Sequence, residues 1–369
     1  MESLSVPKYV QIKNNLIKII EEDGLKEGDI LPSETFLATS YGVSRVTVRQ
    51  AIDLLVREGL VYKIQGKGTF YRGKPKKSKD ARTHLIGVIS PITRWYIYPH
   101  ILDGIEQKVQ EYKYGVMIGN SRGDVDKEYA IIQDMIRKGV EGILLEPAAS
   151  SFFMTRQART LLPSLKIPVV LIDSFYEEAR SYLSMISPDD VEGGKRAADY
   201  LVKMGHKKIG ILYKRDVMAG RLRYLAFKQR LEELGCPLDP SCVWTFSSDE
   251  GVNDVEPTKR LVRKFLMMDS RVRPTAMFFF NDETALHGFQ MIRAAGLSVP
   301  DDVSILSYDD SEFARFCEVP LTSISHPKEE LGRRAVEVLV GIIEGDIMPP
   351  QQILFAPHIV ERHSVICRS

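Results

Sequence analysis

Residues 31–71 carry the signals of two short helices, a tight turn between them and a glycine-tipped hairpin. Ser33 and Ser44 each stand just before a predicted helix, where a hydroxyl accepts a hydrogen bond from a free backbone N–H. On the second helix, apolar side chains recur every three or four residues and predict one buried face. These residues are Val48, Ala51, Ile52 and Leu55. This order of elements predicts a winged helix-turn-helix.

Two features of this segment suit DNA. Arg45 and Arg49 lie one turn apart beside the buried face of the second helix, and arginine makes paired hydrogen bonds to guanine O6 and N7. The hairpin turns at Gly66-Lys67-Gly68, where glycine permits positive φ and lets the backbone approach a phosphate. A structural helix pair with solvated arginines is the alternative, but the order of the signals favours DNA binding.

The predicted head is residues 1–72, and within it residues 7–72 resemble the DNA-binding domain of the GntR family. The matching stretches are Leu31-Pro32-Ser33-Glu34, Gly42-Val43-Ser44-Arg45, Thr47-Val48-Arg49, Glu58-Gly59-Leu60 and Gly66-Lys67-Gly68-Thr69-Phe70. With the chemistry above, the resemblance implies nine DNA-contacting residues. They are Ser33, Glu34, Ser44, Arg45, Thr47, Arg49, Gly66, Lys67 and Gly68. The predicted partner is a palindromic operator in double-stranded DNA, bound by a homodimer.

Charge is distributed unevenly along the chain. Residues 1–80 hold 14 Lys and Arg against 10 Asp and Glu, a net charge of +4. The remaining residues hold 36 against 39, a net charge of −3. The basic excess therefore coincides with the head and favours attraction to phosphates.

Cysteine spacing and hydropathy exclude several classes of protein. The cysteines Cys236, Cys242, Cys317 and Cys367 lack metal-ligand spacing, so we expect free thiols, no metal and no cofactor. A bridge between Cys236 and Cys242 is the alternative. Because the N-terminus lacks an apolar signal segment and no 18-residue apolar stretch occurs, we expect a cytoplasmic, nucleoid-associated protein without membrane contact.

A polar, basic stretch, residues 73–83, predicts a linker between the head and a larger region. In residues 84–369, apolar runs alternate with amphipathic helical patterns, which predicts an α/β fold with parallel sheets covered on both faces. The predicted strands are Leu85–Ser90, Gly115–Gly119, Val140–Glu146, Pro168–Asp173, Lys208–Tyr213, Val243–Phe246, Thr275–Asn281 and Val303–Tyr308. The length predicts two lobes, 84–187 plus 328–346 and 188–327 plus 347–369.

Polar groups follow predicted strands in both lobes, among them Glu146, Asp173, Asn281 and Asp309. Ligands bind parallel sheets at this edge, and carboxylates and amides suit the paired hydroxyl groups of a sugar. Each such residue by itself is also typical of a helix N-cap. Aromatic side chains that can cover the apolar face of a sugar ring are Trp95, Tyr96, Tyr98 and Phe175.

Residues 84–366 resemble the periplasmic-binding-protein-like (type I) effector domain of the LacI family. The matching stretches include Leu85-Ile86-Gly87-Val88-Ile89, Gly205-His206-Lys207-Lys208-Ile209-Gly210, Asn281-Asp282-Glu283-Thr284-Ala285-Leu286, Tyr308-Asp309-Asp310 and Leu321-Thr322-Ser323-Ile324. The resemblance implies that Arg223, Asn281, Asp309 and His326 bind the effector, and the strand-end argument adds Tyr98, Glu146 and Asp173. The LacI family joins its domains through a minor-groove hinge helix, whereas the composition of the linker here predicts none.

The whole pattern predicts a multidomain, sugar-responsive repressor of carbohydrate-utilisation genes, released from its operator by a neutral sugar such as L-arabinose. A phosphosugar is the rival effector because Lys214, Arg215, Arg221 and Arg223 cluster near one strand end. An enzyme is a second class, but the chain lacks a G-x-S-x-G elbow, a P-loop and H-E-x-x-H, and we predict no catalytic residue. A transport protein, the third class, is opposed by the DNA-binding head.

Overall fold

The computed structural model describes residues 8–22, 24–57, 59–64, 66–72, 82–91, 93, 96–148, 154–250 and 254–368. Most of the predicted linker, 73–81, lies outside the described residues, and so does Trp95. Within these ranges, no helix has the length and apolar character needed to cross a membrane.

The head has the predicted winged helix-turn-helix fold. Its elements are α1 (Lys8–Glu22), α2 (Glu34–Tyr41), α3 (Arg45–Arg57), β1 (Val61–Ile64) and β2 (Gly68–Tyr71). The Ser33 hydroxyl accepts the Phe36 N–H at 3.2 Å and caps α2, and Gly42 ends that helix with a φ of 61°. α1, which the sequence argument did not specify, covers the buried face of α3. The head touches the rest of the chain where Asn14 Nδ2 donates to the Ser181 carbonyl at 3.1 Å.

Lobe 1 is built on a parallel sheet in the order β13-β7-β6-β5-β3-β4. Its strands are β3 (Leu85–Ser90), β4 (Gly115–Asn120), β5 (Gly142–Leu145), β6 (Val169–Ile172), β7 (Ser184–Pro188) and β13 (Gln352–Phe355). Its helices in the described residues are α4 (Tyr98–Glu111), α5 (Val125–Arg137), α6 (Arg156–Leu161) and α12 (Lys328–Glu344). Apolar side chains from helices on both sheet faces form its core, as the continuous apolar strands predict.

Lobe 2 repeats this plan in the order β14-β12-β11-β10-β8-β9, with β14 antiparallel to its neighbour. Its strands are β8 (Ile209–Lys214), β9 (Val243–Phe246), β10 (Ala276–Phe279), β11 (Ser304–Asp309), β12 (Thr322–Ser325) and β14 (Ile359–Val360). Its helices in the described part of the chain are α7 (Asp190–Lys203), α8 (Met218–Glu233), α9 (Val255–Leu266), α10 (Asp282–Ala294) and α11 (Glu312–Phe316).

Two predicted boundaries are wrong. The segment 347–369 was expected in lobe 2, but β13 pairs with β7 in the sheet of lobe 1, so the chain crosses to lobe 2 only after Phe355. β13 lies at the sheet edge and is only partly buried, and its apolar run is just three residues long, Ile353 to Phe355. The linker was expected to extend to residue 83, but Arg82 bonds Glu141 and Thr83 bonds the Gly139 carbonyl, so these two residues belong to the body.

α4 and α12 lie side by side in lobe 1 and approach at backbone distance. A Cβ added at Gly332 would overlap the Ile101 carbonyl, and one added at Gly104 would overlap the Glu329 carbonyl. Glycine is therefore needed at both positions for close approach, not for an unusual φ. Polar contacts continue along the pair, where Lys108 Nζ lies 3.0 Å from Glu337 and Arg333 donates to Gln107 at 3.1 Å.

We predict that Gly332→Ala destabilises the protein by about 1–3 kcal/mol, because the added methyl group forces the two helices apart. The gain in helix propensity from glycine to alanine offsets less than about 1 kcal/mol of this loss. The measurement is urea unfolding followed by circular dichroism. Glu330→Ala, an exposed change on the same helix, is the control and should alter stability by less than about 0.5 kcal/mol. Equal midpoints for the two variants would contradict the tight helix contact.

Candidate functional site

The start of α3 presents the predicted base-reading residues to solvent. The Ser44 hydroxyl accepts the Thr47 N–H at 3.2 Å and lies 2.9 Å from the Thr47 hydroxyl, so these two residues cap the helix. Arg45 is exposed. Arg49 instead bonds Glu34 of α2 at 3.0 Å, and this hydrogen bond holds the pKa of Glu34 below its ordinary value. Glu34 therefore orients Arg49 across the helix pair.

The wing is a hairpin that turns between Ile64, the last residue of β1, and Gly68, the first residue of β2. The Lys67 N–H donates to the Ile64 carbonyl at 3.0 Å, and Gly66 and Gly68 have φ values of 77° and 127°. Lys67 is exposed at the tip, as predicted. Two exposed apolar side chains, Phe36 and Val46, lie in α2 and α3, and sequence reasoning missed them. Such groups contact thymine methyls in DNA interfaces.

In the body, a buried guanidinium organises the carboxyl ends of the lobe 2 strands. Arg223 Nε donates to Asp190 Oδ1 at 2.7 Å, Nη1 donates to the Phe280 carbonyl at 2.5 Å, and Nη2 lies 3.4 Å from Asp309 Oδ1. The guanidinium also stacks on the Tyr308 ring at 3.4 Å. Burial by itself would lower the pKa of Arg223, but Asp190 and Asp309 raise it above its ordinary value.

Tyr96 reaches from the loop after β3 in lobe 1 into lobe 2. Its hydroxyl donates to Asp309 Oδ2 at 2.5 Å and accepts the Asp282 N–H at 3.0 Å. Its ring stacks on Phe313 of α11 at 5.8 Å. Tyr96 was predicted only as a stacking ring, so sequence reasoning missed its role as a polar bridge between the lobes.

Asp173 and His326 form the second group. His326 Nε2 lies 2.7 Å from Asp173 Oδ1, and because a carboxylate only accepts, Nε2 carries the proton. Burial would raise the pKa of Asp173, but His326 and Arg223 lower it below its ordinary value. Burial and the charge of Asp173 raise the pKa of Glu146 well above its ordinary value, and Glu146 accepts the Ser90 hydroxyl at 2.9 Å.

Asp282, which was not predicted as a site residue, links the ends of the lobe 2 strands beside the cleft through hydrogen bonds. It is fully buried and accepts hydrogen bonds from Ser307 at 2.5 Å, from Ser323 at 2.7 Å and from the Ser311 N–H at 2.7 Å. Burial and the charge of Asp309 raise the pKa of Asp282 to about 7. Asp282 thereby fixes the strand ends that carry Asp309.

The remaining predicted residues have other surroundings. The Asn281 side chain accepts the Thr284 N–H at 2.9 Å, so Asn281 caps α10, the alternative that the sequence left open. Tyr98 begins α4 with its hydroxyl buried, and that hydroxyl has no hydrogen-bond partner within the described residues. Phe175, expected to stack on a sugar, packs in the lobe 1 core instead. Its apolar ring is stabilised there by neighbouring side chains.

The two lobes are closed on each other. Met218, at the start of α8 in lobe 2, packs into the core of lobe 1, and Lys328 of α12 donates to the Asp309 and Asp310 carbonyls of lobe 2 at 2.5 and 3.0 Å. Two buried polar atoms in this cleft, Asp309 Oδ1 and His326 Nδ1, have no hydrogen-bond partner in the part of the chain that the structure describes. The cleft therefore offers a carboxylate oxygen and an imidazole nitrogen to a polar, hydroxylated ligand. The same described ranges contain no cluster of three His, Cys, Asp or Glu suited to a metal.

Comparison with known proteins agrees with both halves of the fold. Residues 8–70 match the family described as bacterial regulatory proteins, gntR family, and residues 198–365 match a periplasmic binding protein-like domain. Among solved structures, the transcription regulator CcpA of Lactococcus lactis superposes with a TM-score of 0.68 at 24% identity, covering 77% of this chain and all of that one. At this identity the likeness shows the fold alone.

Two relatives cover most or all of the chain. The arabinose metabolism transcriptional repressor of Geobacillus stearothermophilus is 35% identical over 369 residues, 99% of each protein. The ribose operon repressor of Haemophilus influenzae is 32% identical, covering 78% of this chain and 82% of that protein. A GntR head joined to a LacI-type body predicts likeness to the arabinose repressor of Firmicutes, and the first of these matches confirms it. The chain therefore belongs to the family of bacterial sugar-responsive transcriptional repressors that join a GntR-type winged helix to a periplasmic-binding-protein-like domain.

Proposed function

We propose that this protein represses carbohydrate-utilisation genes in the cytoplasm and leaves its operator when a neutral pentose, with L-arabinose favoured, binds the cleft between the lobes. The observation that carries the proposal is the set of buried, paired polar groups facing each other across the cleft. Asp309 and Arg223 come from lobe 2 and Asp173 from lobe 1, with His326 at the crossing between them. Such fixed acceptors and donors suit adjacent hydroxyl groups. The two relatives are named for arabinose and for ribose, and both of these sugars are pentoses, which favours a pentose here.

A phosphosugar is less well supported, because three of the four basic residues proposed to hold its phosphate are paired with carboxylates. Lys214 pairs with Asp254 at 2.9 Å, Arg215 pairs with Glu250 at 2.8 Å, and Arg223 is neutralised by Asp190. Asp173, whose pKa is lowered and which is therefore ionised, would repel an anion at the same cleft. The relatives are named as repressors, which agrees with a protein that binds its sugar without converting it.

Asp309→Asn should weaken L-arabinose binding by roughly 10- to 100-fold, since a buried polar group without its partner costs about 1–3 kcal/mol. Operator binding without sugar should stay near the wild-type level. Calorimetry with L-arabinose, D-ribose and a pentose phosphate is the measurement. Asp301→Asn, an exposed change in the same lobe, is the matched control. Heat only with the phosphorylated sugar would contradict the neutral-sugar assignment.

The head is proposed to read the operator with the start of α3 and to hold the backbone with the wing. Arg45 is exposed and free to enter the major groove, whereas Arg49 is oriented by Glu34. Lys67, Gly66 and Gly68 suit a phosphate contact that carries no sequence information.

Arg45→Ala should lower affinity for the specific operator by about 1–3 kcal/mol, because a paired contact with guanine is lost. Lys67→Ala should weaken binding to all DNA sequences alike. It should also reduce the slope of log affinity against log salt concentration by about one unit. Gel-shift titrations on operator and scrambled DNA at several salt concentrations separate the two effects. Lys18→Ala is the control, because Lys18 is exposed on α1, outside α3 and the wing. It lies one helical turn from Asn14, which contacts the body. Unchanged discrimination between the two DNAs in Arg45→Ala would contradict the proposed reading role.

A palindromic operator needs two heads, and one edge of the body suits a second copy of this chain. β4 is an edge strand, and Ile118 on it is 55% exposed. Beside it, a groove of about 470 Å³ between β4 and α5 is lined by Met117, Ile131 and Met135. Edge strands with apolar side chains are normally covered, and a twofold pairing of this edge would cover both copies.

Ile118→Asp should convert the dimer to a monomer and abolish tight operator binding, because a carboxylate would be buried at the centre of the proposed contact. Sedimentation velocity measures the change. Met267→Asp places the same charge on a more exposed apolar residue of lobe 2 and should leave the mass unchanged. A dimeric Ile118→Asp protein would place the contact elsewhere.

A further inference from the structure

α4 and α12 form a two-helix strut between the effector cleft and the end of the linker. Both helices start at the cleft. Lys328, the first residue of α12, bonds two carbonyls of lobe 2, and Tyr96, two residues before α4, bonds Asp309 and Asp282. α12 has 17 residues, so it extends about 25 Å across lobe 1. A displacement at its first residue is therefore carried over that length.

The end of the strut remote from the cleft binds Arg82, the residue that directly follows the linker. Arg82 Nη1 donates to Oε2 of Glu344, the last residue of α12, at 2.8 Å, and Arg82 Nη2 lies 3.0 Å from Glu141. The hydroxyl of Tyr114, just beyond α4, lies 3.2 Å from Glu141 and 3.1 Å from Glu344 and shares its single proton between these two carboxylates. The Arg82 side chain is only 13% exposed. Two carboxylates and a hydroxyl therefore hold one guanidinium in a fixed position.

The strut can transmit motion because its two helices cannot slide independently. Gly104 and Gly332 bring the backbones into contact, so an axial shift of one helix meets the other at once. The ion pair of Lys108 with Glu337 ties the middle of the pair. Met348, four residues beyond Glu344, packs against the apolar core of the head, so the chain just beyond α12 also contacts the DNA-binding domain directly.

We propose that this strut couples sugar binding to DNA release, with Arg82 as the positioning residue at its output end. The proposal rests on the proposed function, in which sugar binds at the cleft. Sugar contacts at Asp309 and Tyr96 change the cross-lobe bonds at the start of α4 and α12. The helix pair moves as a unit, and the Arg82 clamp passes that movement to the point where the body joins the chain segment that leads to the head. Without the clamp, the sugar still binds, but its binding is not transmitted.

The test uses the full-length protein with Arg82→Gln, which removes both ion pairs of the clamp, and Glu344→Gln, which removes one of them and keeps the side-chain shape. Calorimetry gives the L-arabinose Kd, and fluorescence anisotropy gives the operator Kd with and without saturating sugar. We expect the sugar Kd without DNA and the operator Kd without sugar to stay within about threefold of wild type. The loss of operator affinity that sugar causes should fall by about tenfold or more, which is within the usual range of coupling between sites. Arg82→Lys should restore part of the response. Arg159→Gln, which breaks an exposed ion pair with Glu178 elsewhere in lobe 1, should respond like wild type.

A wild-type response in folded Arg82→Gln would overturn the proposal. So would loss of sugar binding in that variant, because the clamp would then merely support the lobe. A second measurement is independent of the effector. Hydrogen exchange in the ligand-free protein follows the amide of His84, which donates to Glu141 at 3.1 Å. Tyr96→Phe, at the other end of the strut, should speed exchange at His84. Unchanged exchange would overturn the strut, whereas changed exchange in a protein that binds no pentose would retain the strut and reject the proposed effector.

Discussion

The cleft is built around one buried charge. Arg223 loses its hydration when lobe 2 folds, and it is stable there because Asp190, Asp309, the Phe280 carbonyl and the Tyr308 ring surround it. These partners come from the start of α7 and the ends of β10 and β11. A shift of any of these elements would leave a charge unpaired at low dielectric, so the arrangement holds the carboxyl edge of the lobe 2 sheet in register.

This charge network extends to lobe 1 through Tyr96. Asp309 contacts Arg223 with one carboxylate oxygen and the Tyr96 hydroxyl with the other. The backbone is strained where the lobes meet, because Tyr96, Asp173 and Asp309 have φ values of 65°, 62° and 98° without being glycine. Strain of this kind persists only where surrounding contacts hold it. The cleft can therefore change conformation when a ligand replaces those contacts. The ligand shifts the equilibrium between the two conformations by its difference in affinity for them.

A response at the head requires a rigid route out of the cleft, and lobe 1 contains one. The sheet of lobe 1 and the helix pair α4 and α12 share one apolar core, in which Leu331, Leu339 and Ile105 are almost completely buried. Movement of the helix pair is limited by close packing, so a displacement at one end appears at the other. Arg82 matters in this arrangement because it is held at the end of that body and directly follows the linker.

The sequence by itself determined the class of fold and its order. Helix caps at Ser33 and Ser44, the apolar face of α3 and the Gly-Lys-Gly turn are local signals, and each predicted the structure found. The apolar runs likewise predicted eight strands of the two sheets, β3 to β6 and β8 to β11. β12 was missed because its residues, Thr322–Ser325, are mostly polar, and their hydroxyls are satisfied only by distant partners such as Asp282 and Arg362. Local periodicity carries no information about such partners.

Within the cleft, Arg223, Asp309, Asp173 and His326 were predicted, and tertiary structure decided how they pair. Asn281 has the strand-end position that the sequence indicated, yet its side chain caps α10. Asp282, the next residue, is the one that bonds across the strand ends. Neighbouring residues on a helix start point in different directions, and only the packed sheet determines which direction leads into the cleft. Tyr96 and Arg82 are the clearest cases, because their partners lie 213 and 262 residues away in the chain. Contacts at that separation arise from tertiary folding, between the two lobes for Tyr96 and within lobe 1 for Arg82, and no local pattern of residues encodes them.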